Sequence, residues 1–245
     1  MKKNMECIYL PELNTNDKYY KIPDTEAHHL KVLRLQSGNE ILITSGKGIS
    51  ALAIIDRISK NDFSVNIIDY YHNKGELDFR IGLAIGIMDN RDRFEFAIEK
   101  CTELGVSDIF PLITDYSQQN KINKERLITK TISTIKQSKR AILPVIHHPI
   151  SIMELINNRY ETTTKDNTSA KYSRIILADE NGITPETKLY KPTNTLIFIG
   201  PEGGFSELEL DIFDKNNIIK WKIGDTRLRT ETATIICIGL LSLGF

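Results

Sequence analysis

The sequence predicts an α/β protein in two parts: a small β-barrel over residues 1–72, and an α/β domain with a mostly parallel sheet over residues 78–245. Three observations predict it. Up to residue 72, apolar residues alternate or run in strand-length blocks, with one helical interruption. From Phe79 onward, wholly apolar blocks alternate with segments of helical spacing, as a parallel sheet buried on both faces requires. Between the two, Tyr71–Leu77 carries Asn73, Lys74 and Gly75, a linker composition.

In the first part, Asp24–Leu35 is predicted as a short helix that Asp24 or Thr25 can cap. Glu40–Thr44 and Ala51–Ile55 flank Gly46 and Gly48, a hairpin signal, and Phe63–Tyr70 alternates through Phe63, Val65 and Ile67. In the second part, Phe79–Met88 is the first strand. Asp92–Leu104 is a helix with Phe94, Ile98 and Cys101 on one stripe, stopped by Gly105. Val106–Leu112, Arg174–Ala178, Thr195–Gly200 and Ile218–Ile223 are further strands; Lys124–Ser138, Ser206–Lys215 and Thr232–Leu243 are further helices. Asn157–Ser173, with Thr162, Thr163, Thr164 and Lys165, is polar and predicts a loop or insertion.

A chain of 245 residues can bury a core in each part, and 40% apolar with 26% charged residues argues for folded rather than disordered protein. Met1–Asn4 is polar and shows no signal-peptide pattern; Ile235–Phe245 is too short to span a bilayer and predicts a buried helix. A cytoplasmic protein that meets no membrane is therefore expected. Cys7, Cys101 and Cys237 lack metal-type spacing and are expected to be small buried hydrophobes. His147-His148 has no carboxylate or Cys at ligand spacing, so a loop pair is expected and no metal. Net charge is zero, which gives no overall signal for nucleic acid. Locally, residues 121–140 set Lys121, Lys124, Arg126, Lys130, Lys136, Lys139 and Arg140 against Glu125 alone. This is either a phosphate-attracting patch or a solvated helix face.

Two strand-to-helix corners carry the chemistry. In Ile199-Gly200-Pro201-Glu202-Gly203-Gly204-Phe205-Ser206, an apolar strand ends in a loop with adjacent glycines, which let backbone approach a ligand or take positive φ. Ser206 and Glu209 form a capping box, with Phe205 and Leu210 at the staple positions. Such loops at the carboxyl ends of strands bind ligands in open α/β sheets. The spacing fits neither a P-loop nor a dinucleotide fingerprint, and a plain structural turn is the alternative. In Ile223-Gly224-Asp225-Thr226-Arg227-Leu228-Arg229-Thr230-Glu231-Thr232, a strand again leads into a helix that Thr230 or Thr232 can cap. The plainer role for the two arginines is salt bridging to Glu231 or Asp225. Two such corners, close in sequence, predict one shared cleft.

These segments resemble the RsmE family, uracil-N3 methyltransferases of small-subunit (16S) ribosomal RNA in the SPOUT superfamily. Besides Gly200–Gly204 and Arg227–Thr232, three ordered stretches carry the resemblance: His28-His29-Leu30-Lys31-Val32-Leu33-Arg34, Glu99-Lys100-Cys101-Thr102-Glu103-Leu104-Gly105-Val106, and Gln137-Ser138-Lys139-Arg140 followed by Leu143-Pro144. The sequence departs from the family pattern at Asn90, Lys136 and Asp225-Thr226. The resemblance implies a PUA/OB-like N-terminal barrel that binds RNA and a C-terminal trefoil-knot methyltransferase domain working as a homodimer. It implies S-adenosylmethionine held by Ala178, Glu180, Ile199, Gly200, Pro201, Glu202, Gly203, Gly204, Ile223, Gly224, Leu228, Thr230 and Thr232. Arg229 would stabilise charge developing on the base, Arg227 would grip phosphate or base, and Glu231 is a candidate general base. RNA contacts would fall to His28, His29, Lys31, Arg34, Arg91, Lys139 and Arg140. Two other readings are a knotted methyltransferase of another RNA, such as transfer RNA, and a non-enzymatic RNA-binding or assembly factor.

Overall fold

The computed structural model describes residues 5–59, 63–157, 161–163, 169–186 and 192–244, without the side chains of His29, 161–163 and 169–171. Of the expected features, Met1–Asn4, Phe245, Thr164 and Lys165 lie outside the described residues. The described residues form two compact units. The first runs to Glu76 and takes in Ile132–Leu143; the second comprises Leu77–Thr131 and the chain from Pro144 onward.

The first unit contains β1 (Cys7–Tyr9), β2 (Tyr19–Lys21), α1 (Asp24–Val32), β3 (Glu40–Thr44), β4 (Ile49–Ile58) and β5 (Phe63–His72). The strands make one mixed sheet in the order β1-β3-β4-β5-β2, with β1 parallel to β3 and the other neighbours antiparallel. Alternation does its work here: Ile41 and Ile43 of β3 and Ala51, Ala53 and Ile55 of β4 are fully buried, and Leu30 of α1 joins the same core.

Ile132–Leu143 belongs to this unit for a reason that only tertiary structure supplies. The Glu76 carboxylate takes the Arg140 guanidinium at 2.7 Å and the backbone N–H groups of Ala141 and Ile142 at 2.6 and 3.0 Å. Thr44 Oγ1 donates to the Arg140 carbonyl, and the Gly46 and Gly48 turn exchanges backbone bonds with Leu143 and Ala141. The sequence reading had placed this segment wholly in the second part.

The second unit contains β6 (Ile81–Gly86), α2 (Arg91–Glu103), β7 (Asp108–Ile113), α3 (Lys124–Ser138, whose last turns fall to the first unit), β8 (Val145–Ile146), β9 (Ile150–Ser151), α4 (Ile152–Asn157), β10 (Glu161–Thr163), β11 (Ser169–Lys171), β12 (Arg174–Ile183), β13 (Thr195–Ile199), α5 (Glu207–Lys215), β14 (Ile219–Trp221) and α6 (Thr230–Ser242). Its main sheet is wholly parallel in the order β14-β12-β13-β6-β7-β8, with β9 also on β7. The polar segment expected as a loop or an insertion contributes β10 and β11, which pair antiparallel.

Both faces of this sheet are covered, which is why its strands carry no polar alternation. Ile81, Leu83 and Ile85 of β6 pack with Phe94 and Ile98 of α2 and with Cys237, Ile238 and Leu241 of α6. Ala84 of β6 and Phe198 of β13 face the other way, toward Phe213 of α5 and Leu155 of α4. One connection is unusual. β14 lies at the sheet's edge, beyond β12, yet the helix that follows it packs on α2, β6 and β13 near the middle. The chain over 222–229 must therefore cross back past β12, and this crossing carries the two arginines.

All three cysteines are buried free thiols, and burial pushes those of Cys7 and Cys237 up to about 12. Among the described residues, no helix is long and apolar enough to cross a membrane.

Candidate functional site

The carboxyl ends of β12, β13 and β14 open into a cleft of about 670 Å³. Its lining includes every residue assigned to the cofactor above except Thr232, and it includes Arg227 and Arg229. Glu231 is not part of the lining. Phe205 and Leu210, the staple positions, line the cleft as well, as do Asn181, Trp221 and Ala233, which had no sequence signal beyond their nearness to the two corners.

The first corner is built from the capping box outward. Ser206 Oγ accepts from Glu209 N at 3.2 Å, and Glu209 Oε2 accepts from Ser206 N at 2.8 Å. Glu209 Oε1 also takes the backbone N–H of Asp115 at 3.0 Å, and Ser206 Oγ donates to Asp115 Oδ2 at 2.5 Å. The loop after β7 is thereby tied to the start of α5. Gly204 sits at φ 74°, and its N–H closes a turn on the Pro201 carbonyl at 2.9 Å. A Cβ on Gly203 would press on Tyr116 Cβ at 3.0 Å, and one on Gly200 would meet Gly204 at 3.2 Å. At Gly200 and Gly203, though not at Gly204, the cradle leaves no room for a side chain.

The second corner differs from expectation. The N-cap of α6 is Arg229, with extended φ and ψ and no side-chain cap, so neither Thr230 nor Thr232 caps this helix. Thr230 is instead buried, its carbonyl taking the Thr234 hydroxyl at 2.6 Å. The salt bridges proposed as the plainer role of the arginines do not form. Asp225 pairs with Lys222 at 2.7 Å, which holds its carboxyl below the ordinary value, and Glu231 lies 3.8 Å from Arg93. Arg227 and Arg229 are exposed and make no ion pair among the described residues. Two buried groups of this corner, the Trp221 indole N–H and Glu231 Oε2, have no hydrogen-bond partner among the described residues, and neither has Arg80 Nε at the other end of the sheet.

The other end of the sheet holds a second cluster. Asp108, fully buried at the start of β7, accepts from Arg80 at 2.6 Å and from the Tyr172 hydroxyl at 2.5 Å, and contacts His147 Nε2 at 2.9 Å. Burial opposes its charge, but His147, Arg80 and Tyr172 together hold its carboxyl below the usual value. Gly82 leaves the space that the Tyr172 ring fills. His147 therefore does have a carboxylate partner, 39 residues away in sequence, and its ring stacks on Phe110. No group of three metal-ligating side chains occurs among the described residues.

Of the residues assigned to RNA, His28, Lys31, Arg34 and Lys139 are exposed on the first unit, and the His29 side chain lies outside the described residues. Arg140 needs correcting: its guanidinium is only 6% exposed and is held by Glu76, so it pins its own segment instead of meeting RNA. Arg91 is exposed on the second unit, 3.5 Å from Glu95. The basic stretch 121–140 is largely spent in the same way. Arg126 pairs with Glu95, Lys130 with Glu99, Lys136 with Glu26 and Arg140 with Glu76. The Lys136 departure thus has a local partner, and the Asn90 departure caps α2, accepting from Arg93 N at 3.1 Å.

Comparison with known proteins agrees with this geometry. A family model described as an RNA methyltransferase domain matches residues 75–242, and one described as an RNA methyltransferase PUA domain matches 22–68. The ribosomal RNA small subunit methyltransferase E of Rickettsia conorii is 31% identical over 239 residues, covering 96% of this chain and 94% of its own. That of Bacillus subtilis is 26% identical, covering 91% and 89%. The crystal structure of the Neisseria gonorrhoeae small subunit methyltransferase E bound to S-adenosyl methionine superposes with a TM-score of 0.81 at 25% identity, covering 96% of this chain and 95% of that one.

Proposed function

Because the chain belongs to the ribosomal RNA small subunit methyltransferase E family of RNA methyltransferases, we propose that it transfers the methyl group of S-adenosylmethionine to N3 of a uridine in 16S ribosomal RNA. One observation carries the chemistry: two arginines with no carboxylate partner among the described residues stand in the wall of a glycine-lined cleft.

The cleft suits the cofactor. Its volume falls within the roughly 300–1,000 Å³ usual for small-molecule pockets. The Gly200–Gly204 cradle lines the cleft, and Trp221 of the same lining carries a buried N–H with no acceptor among the described residues, an arrangement that costs about 1–3 kcal/mol. Ala178, Glu180, Ile199, Ile223, Gly224, Leu228 and Thr230 complete the cofactor's walls. S-adenosylmethionine supplies a methyl group already activated by its sulfonium.

The uracil N3–H becomes a nucleophile only as its proton leaves, and negative charge then spreads over the base. Arg229, at the uncapped start of α6, is placed to stabilise that charge, together with the positive end of the helix dipole. Arg227 grips phosphate or base. The carboxylates of the cleft are Asp179, Glu180 and Glu202, and these replace Glu231 as the groups placed to take the proton.

In this reading the first unit grips RNA through His28, Lys31, Arg34 and Lys139. The second unit pairs with a second copy of the chain through α6 and α2. On these helices Ile236 and Phe96 are exposed, and Ile235 and Leu240 are half-buried, an apolar surface on helices that already pack together. Light scattering should give twice the monomer mass.

The deciding experiment incubates the purified protein with labelled S-adenosylmethionine and small ribosomal subunits from a strain lacking the protein. Mass spectrometry of the 16S RNA should show one new N3-methyluridine. Methyl transfer to another nucleotide would favour the enzyme of another RNA. Cofactor binding by calorimetry without transfer to any RNA would favour an assembly factor.

A further inference from the structure

We propose that a second groove, next to the cofactor cleft, holds an unpaired nucleotide of the RNA that flanks the target uridine. This inference rests on the reading above that the substrate is RNA. The groove has about 550 Å³ and lies wholly in the second unit, between the start of α2 and the start of α3. Its floor is apolar, formed by Met88, Phe94 and Leu127. Its rim is basic, carrying Arg91, Lys121 and Lys124.

Charge accounting identifies the occupant. Of the seven basic residues in the 121–140 stretch, four are committed to carboxylates. Lys121 and Lys124 form no ion pair among the described residues, and both lie on this rim. The groove's two acids do not cancel them. Glu95 is buried and already bound to Arg126 at 2.6 Å, with Arg91 at 3.5 Å; only Glu125 is an exposed acid. An apolar floor under a cationic rim matches a base with its phosphate. Single-stranded nucleic acid is held in this way, by a flat apolar contact for the base and lysines for the backbone. Gln119 and Asn123 are also in the lining, with Gln119 Nε2 donating to the Asp89 carbonyl and Asn123 Oδ1 accepting from Arg126 N.

Continuity with the reacting centre supports the same occupant. The groove wall at Ile87 and Met88 directly follows Gly86, whose Cα packs against Pro201 of the cofactor cradle. Ile87 is fixed by its N–H bond to the Leu112 carbonyl at 3.1 Å, and Gln119 Nε2 donates to the Asp89 carbonyl at 3.5 Å. Arg93, from the first turns of α2, reaches Glu231, two residues beyond Arg229. An extruded uridine at the arginines would leave its neighbour in the chain beside this groove.

The test uses the full-length protein with an eight-residue oligouridylate and a matching eight-residue abasic ribose-phosphate chain. The oligouridylate should bind at least about fivefold tighter, since base stacking is otherwise absent. In Lys121→Gln/Lys124→Gln, the slope of log affinity against log salt should fall by about 1.4, the value for two phosphate contacts on a single strand. Glu125→Gln should tighten binding. S-adenosylmethionine affinity should stay unchanged in both variants. A 4-thiouridine oligomer should photo-crosslink to the peptides that contain Met88 or Lys121.

Equal affinity for the two probes, or an unchanged salt slope in the double lysine variant, overturns the inference. These readouts need no methyl transfer, so they separate from a failure of the enzymatic reading. Transfer at wild-type KM by the double variant would overturn the groove while leaving the enzyme intact.

Discussion

The two ends of the parallel sheet use the same kinds of residue to opposite effect. At the amino ends of β6, β7 and β12, Arg80, Asp108, His147 and Tyr172 are turned on one another and largely buried. At the carboxyl ends of β12, β13 and β14, Arg227 and Arg229 stand in an open cleft and make no ion pair among the described residues. The closed end pairs its charges with one another, although the buried Arg80 Nε finds no acceptor among the described residues, and it fastens strands far apart in sequence. The open end leaves charge and backbone donors for something outside the chain. A buried pair that is complete contributes structure; a charge left uncommitted beside a cradle marks a site.

The largest expected effect is at the open end. Arg229→Ala should lower kcat by about 10²–10³, the usual loss for a group that stabilises developing negative charge. Cofactor affinity and urea midpoint should stay at wild-type values. If kcat is unchanged, the open end does not act through this arginine. The closed end should respond in the opposite way. Asp108→Ala should cost about 3 kcal/mol by urea denaturation, at the low end for a broken buried network because Arg80 is 26% exposed and reaches water. Activity of the folded fraction should survive.

The pH dependence sharpens this contrast. Asp108 titrates below its ordinary 3.8 in the folded chain, so its contribution is complete above that pH and is lost as pH falls through the folded value. The stability gap between wild type and Asp108→Ala should therefore be constant at neutral pH and narrow below about pH 4. A gap that stays constant into acid would mean that the carboxylate's charge is not what matters. Arg227→Ala should act more mildly than Arg229→Ala. It should raise KM for RNA and lower the salt slope by about 0.7 while leaving kcat nearly unchanged.

How much of this contrast was legible in the sequence follows from its geometry. The open end was visible because its parts are local: the glycine loop, the Ser206–Glu209 box and the arginine turn each lie within one strand-to-helix corner. Long strands and helices were visible for the same reason, since Lys124–Ser138 and Phe63–Tyr70 carry clear periods. The closed end was invisible. Asp108 finds His147 39 residues away and Tyr172 64 residues away. Glu76 finds Arg140 across a similar gap, which turned an expected RNA contact into an internal pin. Strands of two or three residues, such as β1, β8 and β9, carry no period to read; their pairing is set by their neighbours. Resemblance to a family gave the arginines their expected roles, but only the structure showed that Asp225 and Glu231 had gone to other partners.

The smallest effect joins stability to function within one residue. Ser206 caps α5, and its hydroxyl also donates to Asp115 in the loop after β7. Ser206→Ala removes both bonds and should cost about 1 kcal/mol of stability, the usual loss for a cap. Were the box only a helix cap, the loss would stop there. But Gly203 rests on Tyr116, the residue after Asp115, so the cradle's shape depends on the same tie. Cofactor affinity in Ser206→Ala should then weaken several-fold at a temperature where the variant is fully folded. Ser206→Thr keeps the hydroxyl and should restore both stability and affinity. Lost stability with unchanged affinity would show that the cradle is fixed by its own turn at Gly204 and not by its tie to the loop after β7.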